Sequence, residues 1–257
     1  LRSEEKGARL FPVYVRRLAI LFVIGMGHQL FYNGDILMLY AELGLVLAAF
    51  RKLPPRALLI LAGVLLTVFP VERAVTTLRQ GPDIVRLTVP DLEQARVSIE
   101  LRRRTHPYSV GSVRDVMAVN ADGILPNPFA ALRGAESSLA FFAMFLIGLY
   151  IGRRRILHDV PKHHALIRRV AWWGLSIGLL SMTGERILHA TAGYEVFGNQ
   201  RATLIPQLLG DVLFAYGSTA LSLGYAAVIV VLARNPRWKR ILSPLGSVGR
   251  LALTVYL

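Results

Sequence analysis

The chain has no cysteine, which excludes disulfides, thiolate metal ligands and a cysteine nucleophile, and leaves the redox state of its compartment unwritten. Charge is sparse as well: 18% of the 257 residues are Asp, Glu, Lys or Arg, against 54% hydrophobic, and mean hydropathy is +0.47. A soluble domain with a charged coat does not have that balance. Also missing are a Walker A loop, a dinucleotide-binding glycine fingerprint and a Gly-x-Ser-x-Gly elbow, so nucleotide-driven work has no visible apparatus. His158, His163 and His164 stand in a basic stretch without matching carboxylates, and no two histidines are spaced four apart, so neither a metal site nor a tightly bound cofactor is expected.

What is present is a series of apolar runs at 18–32, 36–50, 57–69, 138–151, 170–187 and 208–233, with a seventh beginning near Val248. None alternates apolar with polar residues as barrel strands do, and a helix is the other backbone that satisfies its own hydrogen bonds in lipid. The fold class expected is therefore all-α, a polytopic transmembrane helix bundle. Several runs fall short of the roughly 20 residues that cross the hydrocarbon, but flanking Tyr, Trp, Arg and Pro residues extend them to the interface. The first residue is not Met and the last lies inside an apolar run, so a helix beyond each end is expected.

Acidic residues are outnumbered 16 to 30, for a formal charge of +14, and the basic residues of the short loops fall mostly in alternate loops, on one side. The opposite side has only Arg186 and Arg201 in its short loops, and the nine arginines of 71–136 lie in a long translocated segment that counts little. The basic side takes Arg2, Lys6, Arg9, Arg16 and Arg17, then Arg51, Lys52 and Arg56, then Arg153, Arg154, Arg155, Lys162, Arg168 and Arg169, then Arg234, Arg237, Lys239 and Arg240. By the positive-inside rule that side is cytoplasmic, in a multi-pass protein of the inner membrane. The charge then reflects topology and attraction to anionic membrane lipids, and nucleic acid is not expected as a partner. Three parts follow: residues 1–70 with three spans, 71–136 as an extracytoplasmic segment, and 137–257 with the remaining spans, truncated in the last. Within 71–136, a short strand at 84–89, a helix at 92–104 and a second helix at 112–120 are expected before the Pro-Asn-Pro at 126–128.

Ionisable side chains in or beside the apolar runs are costly in hydrocarbon unless paired or hydrated. They are His28, Asp35, Glu42, Glu72, Arg73, Glu136, Glu185, Arg186, His189 and Asp211. All but Glu42 fall near the extracytoplasmic ends of their helices, either as the lining of a polar cavity opening outward or as separate side chains reaching interfacial water. His28 follows Gly25-Met26-Gly27, where close approach of a second helix or a ligand is open. Asn33-Gly34 then turns the chain, and Asp35 opens the next helix as an N-cap, as a partner for His28, or as both. A carboxylate on one imidazole nitrogen fixes the tautomer and makes the other nitrogen the better base. Glu42, seven residues on, shares the face of Asp35 about 10 Å deeper.

Gly174, Gly178, Ser181, Glu185 and His189 form a small and polar stripe at helical spacing that predicts packing against protein. Glu185 and His189 are either a second acid/base pair or a helix-end ion pair. Gln207 and Asp211 share a face of the following helix, with Ser218 further along it.

Gly27-His28, Gly34-Asp35-Ile36-Leu37, Leu39-Tyr40-Ala41 and Arg51-Lys52-Leu53-Pro54-Pro55-Arg56 together form a pattern that resembles the YeiB-like bacterial membrane proteins, domain of unknown function family 418. Tyr108-Ser109-Val110-Gly111-Ser112, Gly152-Arg153 and the closing Gly249-Arg250-Leu251-Ala252-Leu253-Thr254-Val255-Tyr256-Leu257 extend the likeness over nearly the whole chain, with Val255 where the family usually has Asn. The resemblance implies distant kinship with membrane acyltransferases, which pass an acyl group from a cytoplasmic thioester to an acceptor across the bilayer by means of an intramembrane histidine. On that basis His28 is the expected base, Asp35 its orienting partner, and Tyr40, Glu42, Glu185, His189 and Asp211 the expected cavity or substrate residues. Acyl coenzyme A is then the donor substrate, and an envelope glycan, lipid or small molecule the acceptor. The alternatives are a transporter or lipid-handling protein without covalent chemistry, and a non-catalytic membrane assembly subunit.

Overall fold

The computed structural model describes residues 2–32, 34–80, 108–124, 135–192 and 204–250, and among them every regular element is helical. In chain order these are α1 (Arg2–Phe31), α2 (Leu37–Ala49) with a 3-10 turn at Phe50–Lys52, α3 (Pro55–Gln80), α4 (Val113–Ile124), α5 (Ala135–Arg153), α6 (Val160–Ala192), α7 (Leu204–Leu232) and α8 (Pro236–Arg250). The expected strand at 84–89, the helix at 92–104 and the Pro-Asn-Pro lie outside the described residues. The chain is an all-α, multi-pass membrane protein.

Among the described residues, three helices are both long and apolar enough to cross a bilayer: Phe11–Phe31 in α1, Pro55–Thr76 in α3 and Ile205–Leu232 in α7. The other expected spans differ for physical reasons. Helix α2 has only 13 residues, about 20 Å by helical rise. The apolar part of α5, Ser138–Arg153, is also short. Helix α6 is long, at 33 residues, but Lys162, Arg168 and Arg169 near its start and Glu185 and Arg186 near its end interrupt the apolar run. The run expected to begin near Val248 lies beyond Arg250 for the most part, outside the described residues; Val248 itself is in a helix that starts at Pro236.

Two compact units divide the chain, residues 1–53 with 83–145 and residues 54–82 with 146–257. In the first, α1 and α2 form an antiparallel hairpin drawn together at two glycines. A Cβ on Gly25 would lie 2.7 Å from the Met38 backbone nitrogen, and one on Gly44 2.9 Å from Leu18 Cδ2. The Tyr14 hydroxyl donates to the Gly44 carbonyl at 2.6 Å. Tyr40 of α2 and Phe50 of the 3-10 turn meet α5 edge-on, Tyr40 against Phe145 at 5.5 Å and Phe141 at 6.5 Å, and Phe50 against Phe142 at 5.3 Å. Helix α4 begins in a capping box, with the Ser112 N–H and hydroxyl both donating to Asp115 Oδ2 at 2.8 and 2.7 Å.

In the second unit α7 packs against both α6 and α3. Along α6 the predicted small stripe is the contact: added Cβ atoms at Gly174 and Gly178 would lie 2.8 Å from the Ala220 carbonyl and 2.6 Å from Leu221 Cβ. Gly217 and Gly224 return the arrangement from α7, against Ser181 and Leu175. Small residues let the two backbones approach where lipid offers no hydrophobic drive. Helix α3 does not stop at 69; it continues through a fully buried Pro70 to Gln80, which carries Arg73 inward. A proline leaves the carbonyl one turn earlier without its helical donor, so the extension depends on tertiary packing. Helix α5 ends in a Schellman motif, with Ile156 N–H to the Ile151 carbonyl at 3.1 Å and Arg155 N–H to the Gly152 carbonyl at 3.0 Å.

Candidate functional site

The tight connection between α1 and α2 brings His28 and Asp35 together. His28 Nδ1 lies 2.9 Å from Asp35 Oδ1, with the carboxylate fully buried and 18% of the imidazole exposed. The other carboxylate oxygen, Oδ2, accepts the N–H groups of Leu37 at 3.0 Å and Met38 at 3.2 Å, the opening donors of α2. The two roles open in the sequence, helix cap and histidine partner, are held by one residue through its two oxygens. Donation from Nδ1–H to the carboxylate would leave the basic lone pair of a neutral ring at Nε2.

Gly25 sets the distance. Its hypothetical Cβ would stand 3.0 Å from Asp35 Oδ2 and 2.9 Å from Leu37 Cβ, so a side chain there would push against the carboxylate and the start of α2. Gly27 has nothing within 4 Å of its hypothetical Cβ, so of the two glycines Gly25 alone serves helix approach.

Two further residues of this unit stand at the same end of α1. Buried Asn120 of α4 donates through Nδ2 to the Leu30 carbonyl at 2.9 Å, and its Oδ1 accepts from the Tyr108 hydroxyl. The ring of Tyr32 is tilted against that of His28 at a centroid separation of 5.9 Å. Tyr108 and its neighbours were visible as a motif, but nothing in the sequence linked Asn120 to a carbonyl far away in α1. Asp115, in the cap that starts α4, is held below the usual aspartate range by its hydrogen bonds with the side chain and backbone of Ser112.

The remaining expected site residues divide. Glu42 is buried on α2, and the ring of Tyr40 is part of the aromatic contact with α5. In the second unit Asp211, fully buried, pairs with Arg73 of α3 at 3.4 Å, while the Arg73 guanidinium also lies over Phe69 at 5.6 Å. Gln207 and Glu185 are buried as well. Glu185 and His189 do not form the expected pair: Glu185 turns inward with Arg186 Nε at 3.6 Å, whereas His189 is exposed in the last turn of α6. Glu72 and Arg186 are exposed too. Within the first unit Glu42 and the Asp35 carboxylate are buried; within the second Arg73, Glu185 and Asp211 are buried, while Glu72, Arg186 and His189 are exposed.

Comparison with known proteins gives a family but no activity. The chain is 31% identical to the uncharacterized protein YxaH of Bacillus subtilis (strain 168) across its whole length, which is 59% of that relative. It is 23% identical, again throughout, to an uncharacterized 39.9 kDa protein in the amylase 3' region of Bacillus acidopullulyticus, of which it spans 57%. No solved structure matches. Residues 151–257, which begin at the close of α5 and include α6, α7 and α8, match the model of the protein of unknown function DUF418, and this part of the chain belongs to that family.

Proposed function

We propose that this chain forms part of a membrane-embedded acyltransferase of the bacterial inner membrane, with its basic loops in the cytoplasm and the 71–136 segment outside. The donor is a cytoplasmic acyl thioester such as acyl coenzyme A, and the acceptor is an extracytoplasmic glycan, lipid or small molecule bearing a hydroxyl or amine. The observation that carries this is the His28–Asp35 pair, with Asp35 anchored by two backbone N–H groups so that the imidazole is oriented before any substrate arrives. Orientation of this kind is what a general base needs, and one contributes about 10²- to 10⁴-fold in rate.

In the proposed step, His28 Nε2 takes the proton of the acceptor O–H or N–H. The acceptor atom bonds to the thioester carbonyl carbon, the C–S bond breaks, and the thiolate leaves with the proton returned by the imidazolium. Asp35 stabilises that imidazolium. Arg51, Lys52 and Arg56 stand in a loop of the side proposed to meet the donor and attract its phosphates. The test is coenzyme A release by the intact purified protein given acetyl coenzyme A and an envelope extract. Release that needs both the acceptor and His28 is the expected result; equal release by a folded His28→Ala variant removes His28 as base.

A different observation favours a second function, transport without covalent chemistry. The buried Arg73–Asp211 pair joins two helices that are each long enough to span, and intramembrane ion pairs mark proton and substrate paths. Substrate flux that follows a proton gradient and stops in Asp211→Asn would support it, and unchanged flux would remove it.

A further inference from the structure

Helix α8 is basic and two-faced over Pro236–Arg250, and it directly follows a helix long and apolar enough to span. Trp238, Ile241 and Leu242 recur at the i, i+3, i+4 spacing of one face, while Arg237 and Arg240 stand to the other side. The apolar face is not covered: Trp238 is 43% and Ile241 65% exposed. Between Pro236 and Arg250 the sequence places Arg237, Lys239, Arg240 and Pro244 among its apolar residues, which is not the continuous apolar run of a span. A helix with a large apolar face, a cationic face and little overall hydrophobicity settles in the plane of the interface.

The surroundings carry the same charge. Ile156, Val160, Ile167 and Ala171 pack with Ala227, Val228 and Val231, which sets the α5–α6 turn beside the end of α7 where α8 begins. That end of the unit carries Arg153, Arg154, Arg155, Arg234, Arg237 and Arg240, with Asp159 as the one acid in the stretches 153–169 and 234–240. Arg155 moreover holds φ 51°, the left-handed position that closes a Schellman motif and that glycine occupies without strain. Arg155 therefore carries a Cβ at some strain, and its cation stands at the C-terminus of α5, where the helix dipole favours positive charge.

We propose that α8 is an in-plane membrane anchor, its Trp238–Ile241 face in the acyl boundary and its arginines, with those of the α5–α6 turn, on the phosphates of anionic lipid headgroups. Positive-inside topology accounts for the sign of the charge but not for an uncovered apolar face alternating with it. The anchor is independent of the acyltransferase proposal, and failure of either leaves the other standing.

The three tryptophans make the test direct, since Trp172→Phe with Trp173→Phe leaves Trp238 as the sole reporter. This protein is reconstituted into phosphatidylcholine vesicles with or without phosphatidylglycerol, with bromine either high or deep on the acyl chains, and Trp238 emission is recorded. Blue-shifted emission, quenched more by bromine near the headgroups than by deep bromine, is expected. Omitting phosphatidylglycerol, or introducing Arg237→Gln with Arg240→Gln, should weaken that quenching by about twofold or more. The lipid comparison uses a single folded protein, so it stands even if the arginine variant misfolds. Emission untouched by brominated lipid overturns the anchor, whether acrylamide quenches it, meaning water, or does not, meaning cover by protein. Equal quenching in both lipid mixtures overturns the recognition of anionic headgroups.

Discussion

At the scale of the residue, Asp35 couples structure to chemistry. Because one oxygen caps α2 and the other holds His28, Asp35→Asn can still accept an N–H but presents the wrong group to the imidazole. Acyl transfer should fall about 10²- to 10⁴-fold while the melting temperature changes little, and a variant as active as wild type would detach Asp35 from the reaction. Gly25→Ala tests the same contact from the opposite helix. Its methyl would crowd Asp35 Oδ2 at 3.0 Å and the Met38 nitrogen at 2.7 Å. Overpacking of that kind costs about 1–3 kcal/mol, and thermal unfolding in detergent should register it together with a loss of transfer.

Helices test different forces. The Arg73–Asp211 pair joins α3 to α7 with both side chains buried, so Asp211→Ala leaves a cation without its carboxylate and should destabilise by about 3–5 kcal/mol. Arg73→Met with Asp211→Leu should recover most of that loss, as read by unfolding in detergent; a double variant as weak as the single one would show that the charge itself is required. Helix α4 carries a pH dependence. Asp115 is held below its ordinary value of 3.8 by Ser112, so its cap is fully formed above that value and is lost as pH falls through the lowered one. Amide protection in α4, taken relative to the intrinsic exchange rate at each pH, should fall at acid pH in wild type, and Asp115→Asn should remove that fall.

Legibility divides along the same line between local and distant. His28 and Asp35 could be paired in advance because only a tight turn separates them, and the Gly174–Gly178–Ser181 stripe declared a packed face because helical period does not depend on the partner. The partner itself was hidden, since Arg73 and Asp211 meet only once α3 has run through Pro70, where a proline would ordinarily end a helix. Asn120 was hidden for a similar reason: its partner is a backbone carbonyl, which leaves no mark in sequence. Glu185 and His189 show the converse error, because i,i+4 spacing allows a pair but burial of one and exposure of the other decides against it.

For the whole molecule, the absence of cysteine is an experimental advantage. Single cysteines at Ser112 and His158 should be labelled by a membrane-impermeant maleimide from opposite sides of sealed vesicles, Ser112→Cys from outside the cell and His158→Cys from the cytoplasmic face. Labelling of both from one side would contradict the proposed orientation, and with it the separation of donor from acceptor.

The most direct measurement puts that separation and the base together. The intact protein is sealed into vesicles with radiolabelled acetyl coenzyme A on the face that bears the basic loops and envelope acceptor on the other, and label in the acceptor is followed for wild type and His28→Ala. Transfer by wild type and none by a folded His28→Ala protein is the predicted result. Equal transfer by the two proteins, or none by a folded wild type that also fails to bind the donor, would contradict it.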